Sequence, residues 1–192
     1  MDLVWPAEEH LASYVDALTR GWSADTQRAA DGLEELARIE ADPVLFIAQQ
    51  VDREGRGPPV VLPDGSIAVR IPGYRLWMWD GVFCGSISFR WQPGTTELPP
   101  HCLGHIGYSV VPWKRRLGYA TRALALVLPL ARREGLPFVE LTTNLDNVAS
   151  QRVILRNGGE LVERFRKPVA SGGTEALRYR ILLGEPRPSD ER

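Results

Sequence analysis

The first fifty residues carry apolar side chains at a helical spacing. From Glu8 to Gly21 they are Leu11, Tyr14, Val15 and Leu18, and from Thr26 to Ile39 they are Ala29, Ala30, Leu33, Leu36 and Ala37. Residues three and four apart share one face of a helix, so this spacing predicts two amphipathic helices. The pair Asp42-Pro43 predicts a third, short helix, because proline is favoured at the first helical position after an N-cap aspartate.

The apolar period changes to two after Gly55–Gly65, a segment rich in proline and glycine that predicts a loop. Apolar and polar residues then follow a strand pattern in Tyr74–Trp79 and Val82–Arg90. The dipeptide Asp80-Gly81 between them predicts a tight hairpin. The following segment, Gln92–Cys102, contains three prolines and predicts an exposed connection.

The second half of the chain alternates predicted strands and helices. The strands are His105–Val111, Phe138–Thr143, Glu160–Lys167 and Glu175–Leu183, and the helices are Leu117–Glu134 and Val148–Arg156. Pro129 lies inside the longer helix, which we expect it to bend. This order of elements predicts an α/β fold, a mixed and mostly antiparallel sheet with helices on both faces. We expect one domain over residues 1–183 and a disordered polar tail over residues 184–192.

Composition excludes several classes of protein. The 192 residues are 44% hydrophobic and 24% charged, which is enough for one sizeable core. The formal net charge of -1 argues against a dedicated nucleic-acid binder. Two cysteines do not form a disulfide framework, and the acidic N-terminus, MDLVWPAEEH, differs from a signal peptide. We therefore expect a cytoplasmic protein that binds neither nucleic acid nor membranes.

The segment RRLGYATRAL, Arg115–Leu124, places a glycine and two arginines where a strand turns into a helix. The N–H groups in the first turn of a helix have no intrahelical partner, and the helix dipole adds partial positive charge there. Gly118 and Ala120 leave room for a bulky anion to reach these groups, and Arg115 and Arg116 add charge that can pair with phosphate oxygens. This pattern predicts a diphosphate-binding turn.

The pattern Arg115-x-x-Gly118-x-Ala120, after a strand that ends in Val110-Val111-Pro112, resembles the acyl-CoA motif of the GCN5-related N-acetyltransferase (GNAT) family. Downstream, NLDNVASQRVILRNGG, residues 144–159, resembles the family's second motif. The resemblance extends from Trp79 to Leu183, and the N-terminal helices fit the family's first layer. It implies a GNAT-like fold and acetyl-CoA as co-substrate.

The resemblance also assigns residues to the cofactor. The amides of Arg116, Leu117, Gly118, Tyr119, Ala120 and Thr121 are expected to bind the pyrophosphate, with Arg115 beside it. The strand ending at Val111 is expected to splay away from Phe138–Thr143, so that the pantetheine arm pairs with backbone groups of Val110 and Val111. Asn147 and Ser150 belong to the second motif, where Asn147 is expected to bind the arm, to cap its helix, or both.

Catalysis requires a neutral amine and an acid for the leaving thiolate. Many family members carry a carboxylate on the strand that corresponds to His105–Val111. This strand of the chain contains no carboxylate, and His105 is the expected base. Glu140 and Asp80 are weaker candidates for that role. Many members also use a tyrosine at the position of Ile154, which cannot donate a proton. Tyr108 is the expected acid, with Tyr179 as a further candidate.

Other interpretations remain open from the sequence alone. The spacing His101-Cys102-x-x-His105, together with Cys84, mixes zinc ligands but lacks a paired ligand unit, so no metal is expected. A cysteine nucleophile paired with His101 or His105 is a further alternative. Trp77 and Trp79 are core residues or the floor of an acceptor pocket.

The expected function is therefore direct transfer of an acetyl group from acetyl-CoA to the primary amine of a small molecule, peptide or protein. The alternative is an acyl-CoA-binding regulatory module with little or no turnover, which the isoleucine at position 154 favours. Members of the family are often dimers, so a homodimer is included among the expected partners.

Overall fold

The computed structural model describes residues 1–24, 30–62 and 65–184. The helices are α1 (Glu8–Thr19), α2 (Ala30–Ala41), α3 (Pro43–Ala48), α4 (Tyr119–Arg133) and α5 (Val148–Arg156). The strands are β1 (Asp2–Val4), β2 (Val51–Asp52), β3 (Val60–Val61), β4 (Ile67–Ala68), β5 (Gly73–Trp79), β6 (Phe83–Arg90), β7 (Ile106–Val110), β8 (Phe138–Asn144), β9 (Glu160–Arg166) and β10 (Glu175–Leu182). Two short 3-10 turns cover Pro112–Lys114 and Val169–Ser171.

The strands form two principal antiparallel sheets and a small hairpin. The first sheet has the order β1-β5-β6-β7, with β2 also paired to β5, and the second has the order β8-β10-β9. Strands β3 and β4 pair only with each other. The hairpin predicted at Asp80-Gly81 joins β5 to β6, whose register begins at Gly73↔Arg90. The predicted α/β class, with antiparallel strands and helices on both faces, is confirmed.

Strand β5 separates two hydrophobic cores, because its side chains alternate between the faces of the sheet. Tyr74, Leu76 and Met78 pack toward α4 and α5, whereas Trp77 packs under the N-terminal helices. The ring of Trp77 is fully buried and stacks on Tyr14, with centroids 4.4 Å apart. The first core supports α4, whose N-terminal end carries the predicted anion-binding turn.

A buried polar group joins α1, α2 and β5 beneath the second core. The hydroxyl of Tyr14 donates to Glu35, which also accepts from the Arg75 guanidinium at 2.6 Å. Burial, together with the negative charge of Glu35, raises the pKa of Tyr14 far above its ordinary value, so this phenol stays protonated. The group thus fixes the N-terminal helices on the sheet without leaving the carboxylate unpaired.

Several element boundaries differ from the prediction. Strand β1 is too short to show a period, and β3 lies inside the segment predicted as a loop. The predicted helix Thr26–Ile39 is present as α2 from Ala30, and its first four residues lie outside the described part of the chain. The predicted tail also falls outside it, except for Gly184. Whether a short segment forms a strand depends on the strands with which it pairs, and local periodicity carries no information about them.

Candidate functional site

A gap in hydrogen bonding separates β7 from β8. The two strands belong to different sheets, and within the described residues no strand ladder joins them. They meet at the start of β7, where the His105 N–H donates to the Glu140 carbonyl at 2.8 Å. Beyond that contact β7 has one paired edge, toward β6, and one unpaired edge. The splaying predicted between these strands is therefore present.

The register of β7 shows which backbone groups face the gap. The Val111 N–H donates to the Cys84 carbonyl, and the Arg90 N–H donates to the His105 carbonyl. Bonded pairs alternate with unbonded pairs in an antiparallel ladder, so odd-numbered residues of β7 bond to β6. The backbone groups of Ile106, Tyr108 and Val110 consequently point into the gap, where an extended ligand can pair with them.

The turn before α4 has an unusual backbone conformation. Arg116 has a φ of 65°, the positive value that non-glycine residues rarely adopt, and Gly118 has a φ of 77°. Gly118 is the N-cap residue of α4, and no side-chain hydrogen bond caps the helix at this position. Successive residues in mixed helical and left-handed conformations can turn their amides toward a common point, which is the geometry of an anion nest.

The amides of this turn are unpaired. Among the described residues, no protein acceptor receives a hydrogen bond from the N–H groups of residues 116–121, whereas Arg115 and Arg122 on either side donate to Pro112 and Gly118. Six consecutive free donors at a helix N-terminus form a strong site for a diphosphate. A Cβ atom added at Gly118 would meet nothing within 4 Å, so no protein atom crowds the backbone of the turn at this point.

Val110 and Val111 differ in what they can offer to a cofactor. Val111 is fully buried, its N–H is bonded to Cys84, and its carbonyl accepts from Lys114, so its backbone does not fit the predicted pairing. Val110 lies on the gap edge, where its carbonyl accepts from Arg115 Nε at 3.3 Å. Arg115 therefore ties the end of β7 to the turn.

Tyr108 and Ser150 form a hydroxyl pair across the gap. The phenol oxygen of Tyr108 lies 2.8 Å from Ser150 Oγ, which connects β7 to α5. Burial raises the pKa of Tyr108 to about 12, so the phenol stays protonated at neutral pH. Tyr108 is the acid and Ser150 a cofactor residue predicted from the sequence, but nothing in the sequence indicates that the two hydroxyls meet.

The remaining residues of the second motif support α5. Asn147 is the N-cap residue and its Oδ1 accepts from the Ser150 N–H at 3.0 Å, which establishes the capping alternative while leaving the ligand role untested. Ile154 is fully buried in the core below the helix. An isoleucine there contributes packing and cannot donate a proton.

His105 joins the two sheets at the closed end of the gap. Its Nδ1 accepts from the Glu140 N–H at 3.0 Å, and its Nε2 is buried. An acceptor Nδ1 requires the neutral ring to carry its proton on Nε2, so no lone pair remains to deprotonate an amine. Burial lowers the pKa of His105. This geometry favours a structural role over that of the predicted base.

We expect His105→Asn to keep turnover within a few-fold of wild type, because the amide oxygen can replace Nδ1 as the acceptor. The variant should also lose part of the acid sensitivity of the fold. The folded-state pKa of His105 lies below the unfolded value near 6.5, so stability is full above that value and falls as pH drops through the window below it. Urea unfolding at pH 7 and pH 5 measures this difference. A turnover lower by two orders of magnitude at unchanged acetyl-CoA affinity would restore the catalytic role.

The weaker base candidates are held in ion pairs. Glu140 accepts from Arg180 Nη2 at 2.7 Å and lies 3.6 Å from Arg178 Nη1. Asp80 accepts from Lys114 and Tyr119, and these bonds hold the pKa of its carboxyl well below the ordinary range. Both carboxylates stabilise neighbouring cations, and neither lies on the unpaired edge of β7.

The structure separates the other residues that the sequence analysis singled out. Within residues 1–24, 30–62 and 65–184, no group of three or more His, Cys, Asp or Glu side chains could hold a metal ion. Burial raises the pKa of Cys84 to about 12, which makes this thiol a poor nucleophile. Trp77 and Tyr179 lie in the cores, and Trp79 packs against His10 with ring centroids 4.4 Å apart.

Comparisons with known proteins bear on the same segment. A family model described as an acetyltransferase (GNAT) domain matches residues 66–160. Among curated proteins, none matches this chain. No helix in the described part of the chain is long and apolar enough to span a membrane.

Several solved acetyltransferases are similar in structure. The microcin C7 self-immunity acetyltransferase, in complex with acetyl-CoA and AMP, is 14% identical, with a TM-score of 0.61 over 94% of this chain and 91% of that chain. A ribosomal L7/L12 alpha-N-protein acetyltransferase in complex with coenzyme A is also 14% identical, with a TM-score of 0.61 over 94% and 92%. A putative acetyltransferase from Salmonella typhimurium with its cofactor acetyl-CoA is 16% identical, with a TM-score of 0.53 over 100% and 97%.

These likenesses show the fold along almost the whole chain. The family model covers β4 through the first residue of β9, and therefore includes the unpaired edge of β7, the turn before α4 and the hydroxyl pair. The motifs quoted from the sequence lie within the same segment. Residues 66–160 therefore form an acetyltransferase domain of the GCN5-related N-acetyltransferase (GNAT) superfamily.

Proposed function

We propose that this protein transfers the acetyl group of acetyl-CoA directly to the primary amine of a small molecule or a protein. The observation that carries the proposal is the run of six unpaired amides, residues 116–121, beside the unpaired edge of β7. One feature suits a diphosphate, and the other suits an extended amide-bearing arm. Acetyl-CoA contains both a diphosphate and, on the side of the thioester, an extended amide-bearing arm.

The diphosphate is proposed to lie on the amides of Arg116 to Thr121, with the guanidinium of Arg116 adding charge. The pantetheine arm then follows the edge formed by Ile106, Tyr108 and Val110. This placement replaces Val111 with residues whose backbone groups face the gap. A free N–H on that edge can hold the thioester oxygen as negative charge develops on it.

The reaction is proposed to proceed in one transfer step. The neutral amine attacks the thioester carbonyl, the carbon–nitrogen bond forms, and the carbon–sulfur bond breaks. The amine releases its proton to water, since no free base lies on the gap edge among the described residues. The thiolate takes a proton from the Tyr108 hydroxyl, which Ser150 Oγ, 2.8 Å away, can help to replace from solvent.

The acceptor is proposed as a primary amine without further restriction. One structural relative is described as a self-immunity acetyltransferase and another as a ribosomal L7/L12 alpha-N-protein acetyltransferase, so these relatives do not narrow the proposal to one class of acceptor. We place the reaction in the cytoplasm, where the free thiols of Cys84 and Cys102 would stay reduced. Release of coenzyme A with an amine acceptor would separate an enzyme from a binding module that lacks turnover.

Acetyl-CoA is expected to stabilise the folded protein. At a hundredfold excess over its dissociation constant, a ligand that binds only the folded state adds about 2.7 kcal/mol to the free energy of unfolding. Thermal melts across a range of acetyl-CoA concentrations measure this effect, with acetate as the control for the acyl group alone. A melting temperature that does not change with acetyl-CoA would contradict the proposed function.

A further inference from the structure

Asp80 connects the β5–β6 hairpin to both ends of the turn before α4. Its carboxylate lies 2.8 Å from Lys114 Nζ through Oδ2 and 3.2 Å through Oδ1, and it accepts a hydrogen bond from the Tyr119 hydroxyl. The Asp80 side chain is only 16% exposed. Lys114 ends the 3-10 turn that follows β7, and Tyr119 is the first residue of α4. One carboxylate therefore binds the residues on either side of Arg115–Gly118.

The turn between these residues needs support from outside. The positive φ of Arg116 is unfavourable for a residue with a side chain and persists only where the surroundings impose it. No side chain caps Gly118, and the amides of the turn have no protein acceptor in the described residues. Arg115 is tied to Val110, but the Lys114 and Tyr119 contacts set the span that the turn must cross.

We infer that Asp80 is a positioning residue for acetyl-CoA, because its bonds to Lys114 and Tyr119 hold the turn in the conformation that presents its amides to the diphosphate. This inference rests on the proposed function. Asp80 does not touch the diphosphate and acts through the two residues that it binds. It therefore contributes to cofactor affinity and leaves the reacting atoms unaffected.

Charge and positioning make opposite predictions for Asp80. A carboxylate near an anion site repels the anion, so removing its charge should strengthen diphosphate binding if charge alone mattered. Removing the carboxylate also releases Lys114 and Tyr119, which should weaken binding if the turn depends on them. The direction of the change in affinity therefore identifies which effect dominates.

The test compares Asp80→Asn with Asp2→Asn. Asp2 also binds the N-terminal part of α4, through Arg122 Nη2 at 3.1 Å, and its substitution removes the same charge without affecting the turn. The dissociation constants of acetyl-CoA and of S-acetylpantetheine, which lacks the diphosphate, are measured by calorimetry for wild type and both variants. We expect Asp80→Asn to weaken acetyl-CoA binding about tenfold and to leave S-acetylpantetheine binding unchanged. Asp2→Asn should leave both values at or slightly below those of wild type.

Unchanged or tighter binding of acetyl-CoA by Asp80→Asn would overturn the inference. An equal loss of affinity for acetyl-CoA and S-acetylpantetheine would also overturn it, because it indicates a general structural defect. If Asp80→Asn does not fold, Tyr119→Phe decides, because it removes only the hydroxyl that bonds to Asp80. A several-fold loss specific to acetyl-CoA supports the inference, and no loss overturns it. Failure of wild type to bind acetyl-CoA would instead contradict the proposed function.

Discussion

Replacing Gly118 with glutamate is expected to lower the affinity for acetyl-CoA by at least about a hundredfold. The new carboxylate would lie at the N-terminus of α4, where it could accept hydrogen bonds from the free amides that we assign to the diphosphate. It would also repel the phosphates. Because a Cβ atom added at Gly118 meets nothing within 4 Å, the fold should survive the change. The cost of a non-glycine residue at a φ of 77° is about 1–2 kcal/mol. Calorimetric titration with acetyl-CoA measures the effect.

Gly135 offers a matched control for this experiment. It has a φ of 84°, a Cβ atom added there also meets nothing within 4 Å, and it lies just beyond the opposite end of α4. Gly135→Glu therefore introduces the same charge and similar backbone strain away from the turn. We expect this variant to bind acetyl-CoA as wild type does. Equal affinities in the two variants would remove the turn from the cofactor site.

Replacing Tyr108 with phenylalanine is expected to lower turnover by roughly two to three orders of magnitude. Loss of a general acid typically costs a factor of about 10² to 10⁴, and Ser150 can supply part of the proton transfer in its absence. The ring stays in place, so the affinity for acetyl-CoA should change little. The rate of coenzyme A release at saturating acetyl-CoA and amine measures the effect. Ser150→Ala should give a smaller loss of turnover if it only helps to replace the proton.

Tyr179→Phe provides the comparison, because it removes a phenol hydroxyl from a buried ring of β10 that lies in the main core. We expect this variant to turn over acetyl-CoA at close to the wild-type rate. A Tyr108→Phe enzyme with full turnover would show that the thiolate leaves without protein assistance. Loss of turnover in Tyr179→Phe but not in Tyr108→Phe would instead identify Tyr179, on β10, as the general acid.

Features carried by adjacent residues could be predicted from the sequence. The strand, turn and helix around Gly118 follow from local spacing, because the chemistry of a helix N-terminus is built from consecutive amides. The Asp80-Gly81 hairpin and the Asn147 cap are equally local, and both are present in the structure. The family resemblance rests on two such local motifs, Arg115-x-x-Gly118-x-Ala120 and residues 144–159, which is why the cofactor could be predicted from them.

The residues predicted for catalysis were less well determined, because their roles depend on side chains distant in sequence. Tyr108 meets Ser150 across 42 positions, and His105 meets Glu140 across 35. The residues next to a histidine in the sequence do not indicate which of its ring nitrogens accepts a hydrogen bond. Only the packing of β7 against β8 and α5 assigned these partners.

The α/β class, the order of most elements, the strand-turn-helix around Gly118 and the family resemblance could all be predicted from the sequence. Three features appear only in the folded molecule. One edge of β7 is unpaired, the backbone groups of Val111 are already hydrogen-bonded whereas those of Val110 face the gap, and Asp80 binds both ends of the turn. Periodicity and turn chemistry act over a few neighbouring residues. Strand register, burial and hydrogen-bond partners arise only when distant segments pack together.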